Sequence, residues 1–291
     1  MSRLRLDGIP SFNARIPHRV YTTANLPPEK YPEQFQYWAQ NDESLEFRHL
    51  NDTLMDQYLE TMYPSPSPMF PLLSSFPKKV LKADILRYTL MFHKGGIYTD
   101  IDTAAVRPFH EWGTRDVMDL TDHVVGSIPL ILSGNLRYAD EIPPPAVIVS
   151  VEMDGRDPEW REKTLARGLQ IVQWTIAAQP GHPIFLDAIN RALEKWNEAI
   201  ANNEDLTKID PLQWTGPGPF TDAVFRYILA RHGIGTQSIA GSTVPIRIGD
   251  VLILPSHSFQ ADASEGPQPE QACVWHGFSG SWKDIKKTNN D

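Results

Sequence analysis

The chain has 291 residues, 41% of them hydrophobic and 22% charged, with a formal net charge of −9. An acidic chain without a lysine- or arginine-rich run argues against a nucleic-acid partner, and the single cysteine, Cys273, excludes an intramolecular disulfide. No apolar run reaches the ~18 residues that span a bilayer, and the first residues lack the apolar segment of a signal peptide. Cys273 lies in an apolar stretch, which predicts a buried, unreactive thiol.

The first hundred residues alternate between predicted strands and helices. Alternating apolar residues predict strands, and apolar residues spaced by three and four predict helices. The proline-dense stretch 64–71 predicts a loop, and Asp52 suits the N-cap of the helix that follows it in the sequence. This order is typical of an α/β fold with a largely parallel sheet. The predicted strands are 16–23, 45–50 and the short run before Asp100, and the predicted helices are 31–40, 52–62 and 79–94.

The second half of the chain continues the alternation. The stretch 169–176 suits either a strand or a helix, and a helix is favoured for its second half. The segment 215–219 alternates glycine and proline and predicts a loop before a helix that ends at Gly233. No internal repeat or composition break is present, which favours one domain. The remaining predicted strands are 123–128, 146–151, 244–254 and 273–276, and the remaining predicted helices are 183–202 and 220–232.

Two carboxylates, Asp100 and Asp102, stand two residues apart just after a double glycine and a short β-branched and aromatic run. Side chains at positions i and i+2 of a strand point to one face, so we expect these two to converge on one hard cation. Mn²⁺ and Mg²⁺ prefer a few carboxylates together with diphosphate oxygens. The alternative is a polar turn or a helix cap, because an isolated Asp-x-Asp is common.

The predicted helix before this stretch carries Asp84 and Arg87, which share one helix face because they are three residues apart. One interpretation is an exposed ion pair, which stabilises a helix by roughly a few tenths of a kcal/mol. The other is a pair directed at sugar hydroxyls. Gly95 suits the position directly after this helix.

Four segments in this order resemble glycosyltransferase family 32 and, within it, the fungal initiation-specific α-1,6-mannosyltransferases. The resemblance covers nearly the whole chain. Its first segment is specific when complete, whereas each of the others is weak alone. The segments are 82–88 running into 95–102, Gln179-Pro180-Gly181-His182-Pro183, 215–224 and 276–283.

The resemblance implies a GT-A fold, which is a Rossmann-like α/β domain with the metal motif at the end of a central strand. It also implies a retaining, metal-dependent sugar transfer, with Mn²⁺ (or Mg²⁺) as the metal, GDP-mannose as the donor and a mannose-containing glycan as the acceptor. Relatives that use UDP-sugars keep a UDP-hexose donor open. The expected division is an N-terminal extension at 1–15, the glycosyltransferase domain at 16–283 and a polar tail at 284–291.

The resemblance assigns roles to the acidic residues and one histidine. It implies that Asp102 binds the metal directly, and that Asp100 contacts the ribose or binds the metal through water. His276 matches the place of a further metal ligand, although an isolated histidine is as often structural; imidazole suits Mn²⁺ better than Mg²⁺. Asp84 and Arg87 are then expected to hold the donor sugar and the diphosphate.

Further residues are expected to bind the nucleotide. Val20, Tyr21 and Thr22 end the first strand, where doubly wound folds bind ligands. By the resemblance they contact the base and the ribose, and for Val20 an ordinary core position is an equal alternative. Lys283 is a candidate point charge for phosphate, or else a solvated surface lysine.

A second set of substrate-binding candidates lies between positions 173 and 222. Gly216 and Gly218 permit close approach of the backbone to a ligand. Asp222 is expected to open the following helix, either as a cap or as a sugar ligand. Gln173 and Trp174 are candidates for the acceptor face, and a core position is the alternative for Trp174.

The leading hypothesis is therefore a Mn²⁺-dependent mannosyltransferase. The alternatives are a UDP-hexose donor, an inactive glycan-binding protein of the same fold, and a metal-dependent phosphohydrolase, for which the nine histidines form no dense cluster. No general base is assigned, because the leaving phosphate can accept the acceptor's proton. Mannan-forming family members are Golgi membrane proteins, so we expect the Golgi lumen if an anchor has been removed, and the cytoplasm otherwise.

Overall fold

The computed structural model describes residues 16–26, 28–120, 144–154, 165–261 and 270–280. The strand predicted at 123–128 and the candidate Lys283 lie outside these residues. The described strands are β1 (Arg19–Thr23), β2 (Glu46–Leu50), β3 (Gly96–Thr99), β4 (Thr103–Ala105), β5 (Met118–Asp119), β6 (Val147–Asp154), β7 (Leu169–Ile171), β8 (Thr175–Ala178), β9 (Ile246–Ile248), β10 (Val251–Leu254) and β11 (Val274–His276).

The described α-helices lie mainly in the first and last thirds of the chain. They are α1 (Tyr37–Asn41), α2 (Asp52–Met62), α3 (Met69–Ser75), α4 (Lys79–His93), α5 (Pro183–Ala201), α6 (Pro211–Trp214) and α7 (Pro217–His232).

Nine of the described strands form one sheet, in the order β2-β1-β3-β8-β6-β10-β9-β5, with β7 beside β6. The pairings make β1, β2, β3, β6 and β10 run in one direction and the other four strands in the opposite direction. In the described chain, β4 and β11 form a separate antiparallel pair. The predicted α/β class with a Rossmann-like central sheet is confirmed. Most strands of this sheet run in the direction of β1, β3 and β6.

Apolar side chains cover both faces of the sheet. On one face, α4 packs against α5, and α5 against α7, around a cluster that includes Leu86, Phe185 and Phe220. On the other face, Trp38 and Phe259 belong to a second buried cluster. Each large side chain buried in this way contributes ~1.5–3 kcal/mol. Among the described helices, none combines the length and the apolarity needed to cross a bilayer.

The double glycine after α4 is where backbones approach most closely. Gly95 has φ +62°, and a Cβ there would lie 2.7 Å from the Ala178 carbonyl oxygen. A Cβ on Gly96, which has φ +101°, would lie 2.5 Å from the Arg19 carbonyl oxygen. Only glycine therefore lets β3 pass between β1 and β8. Because β3 is buried between its two neighbours, Asp100 lies directly after a buried strand, as predicted.

The elements of the first hundred residues follow the prediction with local differences. Asn51, and not Asp52, caps α2, because the Asn51 side chain accepts the Leu54 N–H at 2.9 Å. The proline-dense loop is interrupted by α3. The helix predicted over 31–40 is a 3₁₀ turn at Glu33–Gln36 followed by α1.

Two predictions in the second half are wrong. The stretch 169–176 holds β7 and the start of β8 and no helix, because β8 pairs with β3 on one side and β6 on the other. The helix predicted to begin at residue 220 begins at Pro217, since proline is tolerated in the first turn of a helix. Its end at Gly233, with φ +70°, is confirmed. The predicted burial of Cys273 is also confirmed.

Candidate functional site

The two carboxylates of the Asp-x-Asp stretch lie in a tight turn between β3 and β4. Thr103 closes this turn, because its N–H (3.2 Å) and its hydroxyl (2.7 Å) both donate to the Asp100 carbonyl oxygen. The same hydroxyl accepts the indole N–H of Trp38 at 3.1 Å. Asp100 and Asp102 therefore converge through a turn, and the prediction that they share the face of a strand is wrong.

A histidine from the end of the chain joins these carboxylates. Strand β11 pairs with β4 so that His276 lies opposite Thr103. Donor atoms of Asp100, Asp102 and His276 all lie within 4.8 Å of one another. The Ser279 N–H donates to Asp102 Oδ2 at 2.9 Å, which fixes the carboxylate in place. We call these three side chains the Asp-Asp-His group.

Hydrogen bonds orient the histidine and keep its neighbouring carboxyl ionised. The His276 ring stacks on Trp174 with centroids 4.4 Å apart, and its Nδ1 accepts the Phe278 N–H at 3.3 Å. The Nε2 atom therefore carries the proton of a neutral ring and lies 3.5 Å from Asp102 Oδ1. Burial alone would raise the pKa of Asp102, but hydrogen bonds from His276 and Ser279 outweigh it and hold that pKa well below its usual range.

The Asp-Asp-His group suits a divalent metal. Two carboxylates and one imidazole offer oxygen and nitrogen ligands, a combination that fits Mn²⁺. Mg²⁺ prefers oxygen ligands alone, so it fits this set less well. Asp102 is ionised at neutral pH and needs no deprotonation. To bind a metal through Nε2, the neutral His276 ring would carry its proton on Nδ1 instead, and Nδ1 would then no longer accept the Phe278 N–H.

Arg87 connects this group to helix α4. Its guanidinium lies 3.0 Å from Asp84 Oδ1 and 3.1 Å from Asp100 Oδ1, and 4.5 Å from the centre of the Tyr98 ring. Arg87 and Asp84 are only 5% and 4% exposed, so the interpretation as an exposed ion pair is wrong. Burial raises the pKa of Asp84 to about 6, although Arg87 and the Thr215 hydroxyl, which donates to Asp84 at 2.7 Å, act to lower it.

The predicted acceptor residue Gln173 is buried beneath the loop before α7. Its Nε2 donates to the Tyr88 hydroxyl at 2.5 Å and to the Thr215 carbonyl oxygen at 3.1 Å. Gln173 thus holds Thr215, which in turn holds Asp84. Trp174 is partly buried and donates its indole N–H to the Phe259 carbonyl oxygen at 2.7 Å.

The two glycines at the start of α7 are explained by contacts within the chain. A Cβ on Gly216 would lie 2.8 Å from Leu212 Cα, and one on Gly218 would lie 2.8 Å from the Leu212 carbonyl oxygen. Asp222 lies in the second turn of α7 and pairs with Arg167 at 2.6 Å. The prediction that Asp222 opens the helix is therefore wrong, because the helix begins five residues earlier with Gly216 as its cap.

The first strand ends beside the carboxylate turn. Val20 pairs with Ile97 and Tyr21 with Tyr98 in the parallel β1–β3 ladder, so the ends of both strands meet at one edge. Val20 packs in the core, which is its alternative interpretation. The Thr22 hydroxyl is buried and has no hydrogen-bond partner within the described part of the chain. That unpaired hydroxyl agrees with a ligand-binding position.

Glu152 near the end of β6 is a candidate that sequence reasoning missed. Its carboxylate accepts the side-chain N–H of Gln170 at 2.8 Å, and its carbonyl oxygen accepts that of Gln260 at 3.0 Å. Burial raises its pKa to about 7, although Gln170 and the nearby His276 act to lower it. The only sequence signal was an acidic residue interrupting the apolar run of a buried strand.

The comparisons with known proteins agree with this geometry. A family model described as "Glycosyltransferase sugar-binding region containing DXD motif" matches residues 28–119. The chain is 32% identical over 284 residues to the initiation-specific alpha-1,6-mannosyltransferase of Schizosaccharomyces pombe, with 94% of this chain and 65% of that protein aligned. It is 30% identical over 286 residues to the Candida albicans protein of the same name, covering 88% of this chain and 68% of that one.

A solved structure, the PaToxG glycosyltransferase, overlaps 73% of this chain and 70% of its own, at 16% identity and a TM-score of 0.42. The chain spans slightly less than two thirds of the Schizosaccharomyces pombe relative. The matched DXD region contains the described Asp100 and Asp102, and the alignment with the Candida albicans relative covers most of the remaining chain. The chain belongs to glycosyltransferase family 32, the glycosyltransferases whose sugar-binding region contains a DXD motif.

Proposed function

We propose that the chain is a metal-dependent glycosyltransferase that moves mannose from GDP-mannose to a mannose-containing glycan with retention of anomeric configuration. The Asp-Asp-His group carries this proposal, because three metal-ligating side chains converge at the carboxyl end of β3. Ligands of doubly wound folds bind at this edge of the sheet. The curated relatives are named as initiation-specific alpha-1,6-mannosyltransferases, which supports mannose as the sugar.

Each residue near the group has a task that its contacts support. Asp102 and His276 hold the metal, and Asp100 binds it directly or through water. When bound, the metal supplies positive charge that stabilises the departing diphosphate. Arg87 is held by Asp84 and Asp100, so its guanidinium is fixed in direction before the donor arrives. Such preorganised charge lowers the reorganisation needed at the transition state.

The transfer needs no basic side chain of the protein. The acceptor hydroxyl oxygen forms a bond to C1 of mannose on the face from which the diphosphate leaves. The bond between C1 and the phosphate oxygen breaks, and its electron pair stays with GDP. The hydroxyl proton passes to the departing phosphate. The protein's contribution is to hold donor and acceptor at attack distance.

A UDP-hexose donor would use the same residues, so the choice of nucleotide rests on experiment. A phosphohydrolase is less well supported, because two-metal hydrolases need a second set of ligands. Among the described residues, the Asp-Asp-His group is the one cluster of at least three metal-ligating side chains. An inactive glycan-binding protein would gain nothing from three potential metal ligands that converge beside an open cleft.

The proposal is tested by thermal stabilisation with GDP and with UDP, each with and without Mn²⁺. A ligand at 100 times its dissociation constant stabilises the folded state by about 2.7 kcal/mol. We expect a Mn²⁺-dependent shift with GDP that is lost in Asp102→Ala and kept in Glu60→Ala, an exposed carboxylate on α2. A thermal shift with UDP alone would show that the donor is a UDP-sugar and not GDP-mannose. If neither nucleotide causes a thermal shift, the proposed glycosyltransferase activity is wrong and the glycan-binding alternative is favoured.

A further inference from the structure

A cleft of about 390 Å³ opens beside the Asp-Asp-His group and shares His276 with it. Its volume lies within the ~300–1,000 Å³ of typical small-ligand sites. Residues of β11, of the turn that follows it and of the segment after β10 form its walls. The lining residues are His257, Gln260, Ala261, Trp275, His276, Gly277 and Phe278.

Phe278 presents an aromatic face at this cleft. Its side chain is 59% exposed, which is unusual for phenylalanine. Its ring centre lies 4.2 Å from that of His276 and 5.4 Å from that of Trp174, edge to face in both cases. The backbone at Phe278 has φ +48°, a conformation that bulky residues rarely adopt. The surrounding structure thus holds an apolar ring in water, next to the metal-ligating histidine.

The cleft is also lined by the polar side chains of Gln260 and His257. Gln260 is anchored through Nε2 to the Glu152 carbonyl oxygen and, at 3.4 Å, to Ser256 Oγ. His257 is held at φ +72°. Apart from the two histidines, the lining residues include no charged side chain. This lining suits a neutral, hydroxyl-rich ligand with an apolar face, and it does not suit the anionic donor.

We propose that this cleft binds the terminal sugar of the glycan acceptor. The pyranose ring lies with its C–H face on Phe278, and its hydroxyl groups meet Gln260 and His257. The inference rests on the proposed function, because an acceptor hydroxyl must reach the donor sugar next to the metal. The shared His276 gives that proximity, because it belongs to the Asp-Asp-His group and also lines the cleft.

The test measures binding of an α-linked mannobiose, without donor, by saturation-transfer NMR, and the acceptor KM in a transferase assay. In Phe278→Leu, which keeps an apolar side chain but removes the ring, we expect mannobiose affinity to fall at least tenfold. Phe278→Tyr should restore it to within threefold of the wild type. His257→Asn, which tolerates the positive φ, should weaken binding by a smaller factor. Phe70→Leu, at an exposed phenylalanine on α3, is the matched control.

The readout that separates acceptor binding from general damage is the ratio of two affinities. We expect the affinity for mannobiose to fall far more than that for GDP with Mn²⁺. Equal losses for both ligands, or mannobiose binding that is the same in Phe278→Leu and in wild type, would overturn the inference. So would the absence of mannobiose binding to the wild type at millimolar concentration. Failure of the proposed function has a different signature, namely no Mn²⁺-dependent binding of GDP in the wild type.

Discussion

The two ends of the central sheet each carry a histidine beside an aspartate at the same distance. At the carboxyl end of β3, His276 Nε2 lies 3.5 Å from Asp102 Oδ1. At the opposite end, where β10 begins, His182 Nε2 lies 3.5 Å from Asp250 Oδ2. The pair of residue types and the distance are shared, so neither can by itself identify a functional site.

The surroundings of the two pairs differ. The His182 side chain is fully buried, its ring packs edge to face on Tyr227, and its Nδ1 accepts the Ile184 N–H at 3.4 Å at the start of α5. Both oxygens of Asp250 accept the Tyr227 hydroxyl, at 3.0 and 2.9 Å. The Asp102 pair is instead joined by a second carboxylate and opens onto a cleft.

This comparison shows what distinguishes a site from a structural contact. At the amino end, the polar atoms contact other protein atoms, so the arrangement holds β10 and α5 together. At the carboxyl end, three ligand atoms converge and the ring of Phe278 stays exposed. Convergence of donors with access to a ligand is what makes the carboxyl-end arrangement the candidate site. Substitutions at matched positions should therefore separate stability from activity.

The largest expected difference concerns an arginine at each end. Arg87→Met leaves Asp84 and Asp100 without their shared partner in a buried setting, so we expect a loss of about 3–5 kcal/mol in the free energy of unfolding. Arg247→Met at the amino end removes a hydrogen bond to the Gly249 carbonyl oxygen, and we expect a loss of about 1–2 kcal/mol. Urea denaturation of both variants measures the difference. Equal losses in the free energy of unfolding would show that the contacts of Arg87 stabilise the fold no more than those of Arg247.

The next prediction exchanges each aspartate for asparagine. Asp102→Asn removes a charge that the proposed metal site requires, and we expect turnover per folded molecule to fall about 100-fold or more. It should also cost some stability, because the hydrogen bonds from His276 and Ser279 to the ionised carboxylate are weakened. Asp250→Asn weakens the contacts to His182 and Tyr227, so we expect a loss of about 1–2 kcal/mol of stability and unchanged turnover per folded molecule. Turnover and thermal melts on the same preparations provide the check. A large loss of turnover in Asp250→Asn would remove the distinction between the two ends.

The carboxyl-end site is the part that the sequence predicted best. The apolar pattern of 79–94 and the double glycine are local features with local physical causes, and each was found where predicted. Asp100 follows a buried strand as predicted, although it meets Asp102 through a turn and not on a strand face. The position of His276 was inferred from resemblance. The structure brings it beside Asp102 through the β4–β11 ladder, a pairing across more than 170 residues that periodicity does not reveal.

What the sequence did not predict depends on contacts between distant segments. The apolar residues at 169–176 suit two kinds of element, and pairing with β3 and β6 decides for strands. Gln173 was a candidate for the acceptor face, and nothing near it in sequence reveals Tyr88 and Thr215 as its partners. Glu152 belongs to no motif, and its burial follows from the packing of Gln170 and Gln260 around the end of β6.

A pH experiment sharpens the comparison, because the pKa of Glu152 is raised in the folded protein and that of Asp250 is lowered. Burial raises the folded-state pKa of Glu152 to about 7 from an ordinary 4.5, so ionisation destabilises the fold as pH rises from 4.5 to 7. Glu152→Gln should therefore match the wild type at pH 4.5 and exceed it by about 1–3 kcal/mol at pH 8. For Asp250, burial raises the pKa, but hydrogen bonds from His182 and Tyr227 outweigh this effect, so the folded-state pKa lies below 3.8.

The stabilisation that Asp250 provides is thus present above pH 3.8 and disappears as pH falls through the folded-state pKa. The deficit of Asp250→Asn should shrink under acid, whereas the advantage of Glu152→Gln should grow as pH rises from 4.5 to 7 and stay constant above that. Urea denaturation at a series of pH values measures both. Parallel pH profiles for the two variants would contradict the assigned surroundings of one of these carboxyl groups.

The smallest expected effect is the reaction of Cys273 with iodoacetamide. The thiol is buried directly before β11, and burial raises its pKa to about 12, so we expect almost no labelling of the native wild type. Labelling then requires opening of the structure, and its rate follows the equilibrium population of opened molecules. Asp250→Asn, at the far end of the sheet, should speed labelling about 5- to 30-fold if it removes about 1–2 kcal/mol. Asp102→Asn should speed labelling no more than its own loss of stability requires, because an asparagine oxygen can still accept the Ser279 N–H. Faster labelling in Asp102→Asn alone would mean that this carboxylate, and not only the core, holds β11 in place.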